Sequence, residues 1–522
     1  MARFLFASTP VAAHSATPRP IVRRLVERGH DVVWYGGEAY ADRIRATGAR
    51  YAPMVDALDV STGDPYDWFP HLRELDGLAA IKATFREIFL GQIEPGLADL
   101  ERLLEVFPAD VVVSDILVGR TTNIVMERGG PVNALLNDTA LAQPVPEYPP
   151  WGRGMRAWRG PLNRPRNRLL QTAVKVAFRD VQAEYTAIRA RLGLPPDNRW
   201  LFDAGASRFL HLQGTVPEFE YPHRSLEPQV HFVGPFRPDP PAAWTRPSWW
   251  GELDGPQPVV HLTQGTIRAN AGELMRPALE ALAGEDVLVV ATTGAIDPDD
   301  LAPLPRNARI APFVPYDELL AKADVFVTNG GYVGTNMALG HGVPIVAVGA
   351  TEDKAEIGGR VVHTGVGLAL PTLQPSPAAI RDAVRAVLTR PSFHQAAALV
   401  ARSMAAHDAT TSSVELLEQL AADQRPVTRA RRGRRAAGLG LGLGSMVGSG
   451  SASGTGAGAG STSVSMPASM SASGSGAPPV PRSAAAASGR PMAHAATAVA
   501  LDHADADRSH AGGWPVNPCL LT

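Results

Sequence analysis

One cysteine stands in 522 residues, Cys519 near the C-terminus. That scarcity excludes an intramolecular disulfide and any cysteine-rich metal site, and it fits a reducing cytoplasm. Long apolar runs are missing too, so nothing reads as a bilayer span and no stable membrane insertion is expected. Net charge is nearly absent: 49 Lys and Arg oppose 51 Asp and Glu, leaving −2. Nucleic acid is therefore not expected as a partner. The opening stretch MARFLFASTPVAA has an apolar core too brief for a signal peptide and reads as a first strand and turn.

The length allows two or three domains, and 45% hydrophobic with 19% charged residues is a globular composition. Strand and helix signals alternate over 1–233: strands at 3–8, 31–35, from 51, 110–114 and 132–136, with helices at 18–28 and 38–47 closed by Gly29 and Gly48. This rhythm predicts a parallel, doubly wound sheet. Residues 151–192 are Arg-rich with scattered apolar positions and should form amphipathic helices with a solvated basic face. Prolines cluster in 234–250 (GPFRPDPPAAWTRPSWW), a stiff interdomain linker. The α/β rhythm then restarts over 251–422, with strands at 259–263, 287–292, 309–312, 325–328 and 343–348 and closing helices near 376–389 and 392–422. Residues 426–522 carry the basic run 429–435 (RARRGRR), then Gly/Ala/Ser tracts with Trp514 as the one aromatic. Such a segment buries too little apolar area to offset its ordering entropy, so a disordered tail is expected.

The segment 325–368 carries the most chemistry. An apolar β-branched run breaks at Asn329-Gly330-Gly331 and passes into a helix, which offers bare backbone N–H groups to a phosphate. After the next strand come Glu352, Asp353 and Lys354, at the sheet edge where open α/β sheets bind ligands. Gln264-Gly265-Thr266 follows the first strand of the second half and faces the same crevice. In the first half, His14 sits in the loop after strand one, and Asp115 ends the strand DVVVS, which brings both to one edge. A neutral histidine there can take a proton from a hydroxyl, and a carboxylate beside it fixes the tautomer and stabilises the imidazolium. Without further context, each feature also fits an ordinary element: a loop histidine, a glycine turn, a helix-start charge pair. Asp297, Asp299 and Asp300 resemble cation ligands but follow a turn and read as a solvated loop.

Over roughly 1–420 the chain resembles bacterial and fungal glycosyltransferases of the GT-B fold, in the UDP-glycosyltransferase and macrolide glycosyltransferase group. His14 with RRLVERGHDVVWY is similar to that family's catalytic loop and first helix. The run from Phe313-Val314 through Asn329-Gly330-Gly331 to Asp353 is similar to its donor signature. The resemblance implies that His14 is the base and Asp115 its partner. It further implies that a nucleotide diphosphate sugar is held by Gly265, Thr266, Phe313, Val314, Asn329, Gly330, Gly331, Tyr332, Gly334, Asp353 and Lys354. The chain departs from the family in having Asn329 for a phosphate-touching histidine, Tyr332 for a tryptophan at the base, Met337 for a ribose-binding glutamate, and Lys354 for a glutamine. A subset of the family shares the NGGY and ATEDK segments.

The expectation is a two-domain GT-B hexosyltransferase that inverts the anomeric centre and needs no metal or other cofactor. A small apolar acceptor would meet Trp68, Phe69, Phe85 and Phe89, although core packing explains these aromatics as well. The competing readings are a non-catalytic nucleotide-sugar-binding or partner protein that retains the fold, and a nucleotide-sugar epimerase. The intact His14 and Asp115 speak against the first. The absence of an acid/base set for the donor sugar speaks against the second.

Overall fold

The structure is a computed structural model and describes residues 1–63, 68–75, 77–142, 147–151, 154–155, 160–222, 226–239, 244–265, 270–350 and 353–429. Thr266, Glu352 and the expected tail from 430 onward lie outside the described residues.

Two fully parallel sheets form within one compact unit of the chain. The first contains β1 (Arg3–Ala7), β2 (Asp31–Gly36), β3 (Arg50–Pro53), β4 (Val111–Ser114), β5 (Val132–Asn137), β6 (Leu210–Gln213) and β7 (Val230–Phe232), in the order β3-β2-β1-β4-β5-β6-β7. The second contains β8 (Val259–Thr263), β9 (Leu288–Thr292), β10 (Ala308–Ala311), β11 (Val325–Thr328), β12 (Ile345–Val348) and β13 (Gly367–Leu370), in the order β10-β9-β8-β11-β12-β13. Strands such as VVHLT, VFVT and IVAV are buried along their whole length because helices cover both faces of the sheet. The two-residue period divides each strand between two cores. Phe4 and Phe6 of β1 join Val111 and Val113 on one face, while Leu5 and Ala7 join Val112 on the other.

β6, β7 and β13 were not among the expected strands, and the expected helix at 38–47 is broken into Glu38–Tyr40 and Ala41–Arg45. The final helix, Ala409–Asp423, returns to the first sheet and buries Val414, Leu417 and Leu420 in its core. The ordered chain also continues past 426, contrary to expectation. Val427 is buried, its N–H donates to the Phe209 carbonyl, and the Arg429 N–H donates to the Pro228 carbonyl. The proline-rich segment is anchored at both ends, by Phe236 in the first core and Trp250 in the second.

In both sheets the order reverses beside the first strand of the half, between β1 and β4 and between β8 and β11. Loops diverge there to opposite faces and open a crevice at the carboxyl ends of the strands.

Candidate active site

His14 lies in a short helical turn, Ala12–Ala16, rather than in an open loop. Its Nδ1 is 3.1 Å from Asp138 Oδ1 and 3.9 Å from Asp115 Oδ2. Asp138, which sequence reasoning did not single out, is therefore the nearer partner. The strand register explains the difference. Ser114, the last residue of β4, pairs with Leu135, and β5 runs on two residues to Asn137. Those residues raise Asp138 about 7 Å further out along the strand direction. Asp115 leaves at the edge itself and turns back: it accepts from Thr9 N–H (2.6 Å), Thr9 Oγ1 (2.9 Å) and the N–H groups of Leu117 and Val118. Its lone pairs are thus occupied in shaping the loops after β1 and β4.

Asp138 Oδ2 accepts from Thr17 Oγ1 at 3.2 Å, and Oδ1 is left for His14. The imidazole and this oxygen are close, but the ring N–H is not aimed along the line between them, so the contact is an ion pair more than a directed hydrogen bond. Burial by itself would lower the His14 pKa. Asp138 and then Asp115, with Asp353 further off, override it and push the value up to about 9. Burial likewise disfavours ionised Asp138, but His14 holds its carboxyl below the usual range. A small cavity lies here, lined among others by Phe6, Ser8, His14, Asp115, Leu136 and Asp138.

The donor-side loops leave the second sheet at one level, since Thr328 pairs with both Thr263 and Ala347. Gly265 and Gly330 have φ of +82° and +91°, the left-handed region that a side chain strains. Asn329 Nδ2 donates to the Gln264 carbonyl at 2.6 Å and ties the loop after β11 to the loop after β8. Gly331 is the N-cap of the helix Tyr332–Gly340. Asp353 stands at the N-cap position of the helix Lys354–Thr364 but turns its side chain away from the helix end; it accepts from Lys354 Nζ at 3.0 Å and from Thr139 Oγ1 at 3.1 Å. Thr139 is the neighbour of Asp138, so the two halves meet within one residue of the His14 ion pair.

Four of the residues assigned from sequence are engaged in packing. Tyr332 is 4% exposed and packed in a core with Phe219 and Phe326; its hydroxyl bonds Gln213 Nε2 (2.9 Å) and Glu220 Oε1 (3.3 Å) of the first half. Its ring is therefore not free to stack on a base. Val314 is fully buried among Trp250, Val259 and Val290, which leaves only its backbone for a ligand. Gly334 serves packing, since a Cβ there would lie 3.0 Å from Tyr316 Cε2. Phe85 is clustered with Phe89, Phe178 and Phe202, at 4.6 Å between centroids for Phe85 and Phe202. Trp68 is 51% exposed, and Phe69 and Phe313 are half-buried. None of the four proposed acceptor aromatics lines the His14 cavity.

Asp297 caps a short 3-10 turn by accepting from Asp299 N–H. Among the described residues no group of three or more His, Cys, Asp or Glu side chains could hold a metal ion. None of the described helices is long and apolar enough to cross a membrane.

The paired parallel sheets with ligand loops at a shared edge are those of a GT-B glycosyltransferase. The solved structure of CalG4, the calicheamicin glycosyltransferase, superposes with a TM-score of 0.64 over 81% of this chain and 99% of that one, at 20% identity, and establishes the fold. Residues 276–420 match the family model for the erythromycin biosynthesis protein CIII-like, C-terminal domain. The 4'-demethylrebeccamycin synthase of Lentzea aerocolonigenes is 43% identical over 422 residues, 80% of this chain and 99% of that protein. The UDP-glucosyltransferase B1 of Starmerella bombicola is 29% identical over 78% of this chain and 95% of its own. The chain belongs to the macrolide and UDP-glycosyltransferase family, and it is a glycosyltransferase of the natural-product type.

Proposed function

We propose that the protein moves a sugar from a nucleotide diphosphate sugar to a hydroxyl of a small apolar acceptor, with inversion at the anomeric carbon and without a metal ion. The observation that carries this reading is the grouping of His14, Asp138 and, through Thr139, Asp353 where the two sheet edges meet. It brings a candidate base beside a carboxylate of the donor loop.

His14 takes the acceptor proton as the acceptor oxygen attacks the anomeric carbon from the face opposite the diphosphate. With Nδ1 turned to the carboxylates, Nε2 is the atom left to receive the proton. A carbon–oxygen bond forms, the bond to the diphosphate breaks and its electron pair leaves with the phosphate, through an oxocarbenium-like transition state. Asp138 and Asp115 stabilise the imidazolium. The N–H of Gly331, together with Thr266 and Lys354, meets the growing negative charge in place of a metal, the Gly330 N–H being taken by Thr328 Oγ1. Asp353 holds hydroxyls of the donor sugar. The single cysteine supports a cytoplasmic setting.

The test is a product screen by mass spectrometry, using UDP- and dTDP-sugars with a panel of apolar acceptors, in the presence and absence of a metal chelator. Wild type should transfer equally with the chelator, and His14→Ala should lose at least about a hundredfold in rate. Undiminished transfer by His14→Ala would remove the base assignment. Transfer abolished by the chelator would remove the metal-free mechanism.

A further inference from the structure

The helix Asn163–Ala177 contains three arginines and one lysine and no acid. The absence of acid is wider than the helix. From 151 to 179 the sequence holds seven Arg and one Lys and neither Asp nor Glu, in a chain whose net charge is −2. Three of those arginines, Arg153, Arg156 and Arg159, lie outside the described residues.

The helix turns one side inward, where Asn167 is buried and Val174 and Ala177 pack on the core beneath. At 3.6 residues per turn, Leu162, Leu169 and Val176 line up on another side. They are 69%, 71% and 60% exposed. Exposed Arg168 and Lys175 lie on one side of this stripe, with exposed Arg164 beyond them paired to Glu147, and half-buried Arg166 lies on the other. Large aliphatic side chains held in water at heptad spacing, beside a helix whose own charges are all basic, form an amphipathic face that nothing among the described residues covers.

We propose that this face docks on an anionic lipid membrane, with the three aliphatic side chains entering the interface and Arg168 and Lys175 meeting lipid phosphates. Two features select lipid over a partner helix. The positions between the aliphatic ones, Pro165 and Thr172, are poor knobs for helix–helix packing. Apart from Glu147, which neutralises Arg164, the charges of the helix are of one sign, which suits a sheet of negative charge and offers little alternation by which a partner could be registered. This is peripheral docking, distinct from insertion. It would hold an enzyme with apolar acceptors beside the phase in which they dissolve, and to that extent rests on the acceptor class proposed above.

The test is co-sedimentation of the full chain with vesicles of phosphatidylcholine alone or with about 30% phosphatidylglycerol. The basic run 429–435 is a second possible contact, so the deciding variant is Leu169→Ser/Val176→Ser, which removes apolar area and leaves every charge. Wild type should sediment at least about fivefold more with the anionic vesicles, and the double variant should lose most of that gain while circular dichroism stays unchanged. Arg168→Gln/Lys175→Gln should lose binding most clearly at low salt. Failure of wild type to sediment with anionic vesicles would overturn the proposal. Equal sedimentation of the Ser variant would overturn it as well, as would a wild-type dimer that the Ser variant dissolves. None of these outcomes depends on glycosyl transfer, so the docking face and the proposed reaction stand or fall separately.

Discussion

Arg360 Nε lies 2.6 Å from Glu220 Oε2, and both side chains are closed off almost entirely from solvent. The pair joins the helix Lys354–Thr364 of the second half to the corner after β6 in the first. Around it, Arg360 also donates to the Leu141 carbonyl and to Glu356, and Glu220 accepts from the Leu141 N–H. A buried ion pair gains little over apolar packing, but removing one partner strands the other charge. Arg360→Met should therefore cost about 3–5 kcal/mol in chemical denaturation. Adding Glu220→Leu should recover part of that loss. Additive losses would mean the two residues are not coupled.

Tyr332 separates two accounts of the donor loop. Its hydroxyl bridges Gln213 and Glu220, so Tyr332→Phe leaves buried polar atoms unsatisfied at about 1–3 kcal/mol. A lower melting temperature with an unchanged donor KM is expected. A raised donor KM at unchanged stability would return the residue to the nucleotide site.

Asn329→Asp exchanges the amide donor for a second acceptor facing the Gln264 carbonyl and parts the two donor loops. Donor KM should rise about tenfold, equivalent to roughly one hydrogen bond, while acceptor KM should hold. Kinetics with each substrate varied in turn reads the two effects separately.

The His14 ion pair should also appear in stability. The folded pKa is raised from 6.5 to about 9, so the histidine's contribution is fully present below pH 6.5 and fades as pH climbs through 9. The melting-temperature advantage of wild type over His14→Gln should be greatest near pH 6 and shrink by pH 9.5. A constant difference would show that the imidazole does not change charge in that window.

Much of this was legible in the sequence, and the gaps have physical causes. Runs such as DVVVS and VFVT, closed by polar residues or glycine, mark buried parallel strands without ambiguity. β6 (LHLQ) was missed because two of its four buried residues are polar: His211 Nε2 bonds Gln213, and Gln213 bonds Tyr332 of the second half. Asp138 had a signal, an acid just after a buried strand, as Asp115 has. What sequence could not show was that β5 outruns β4 by two residues and carries Asp138 closer to His14. The burial of Tyr332 was not legible because its partners Gln213 and Glu220 lie more than a hundred positions away, and a helix start does not declare which way its first side chain turns.

The central claim is that His14, poised by Asp138, is the base. The direct measurement is kcat/KM for sugar transfer from pH 6 to 10 in wild type, Asp138→Asn and Asp115→Asn. A base raised to about 9 is neutral in roughly one molecule in a hundred at pH 7, so wild-type kcat/KM should climb with pH and level off near 9. Asp138→Asn should move that rising limb to lower pH, and Asp115→Asn should move it less. A flat profile, or a limb that moves only in Asp115→Asn, would contradict the account.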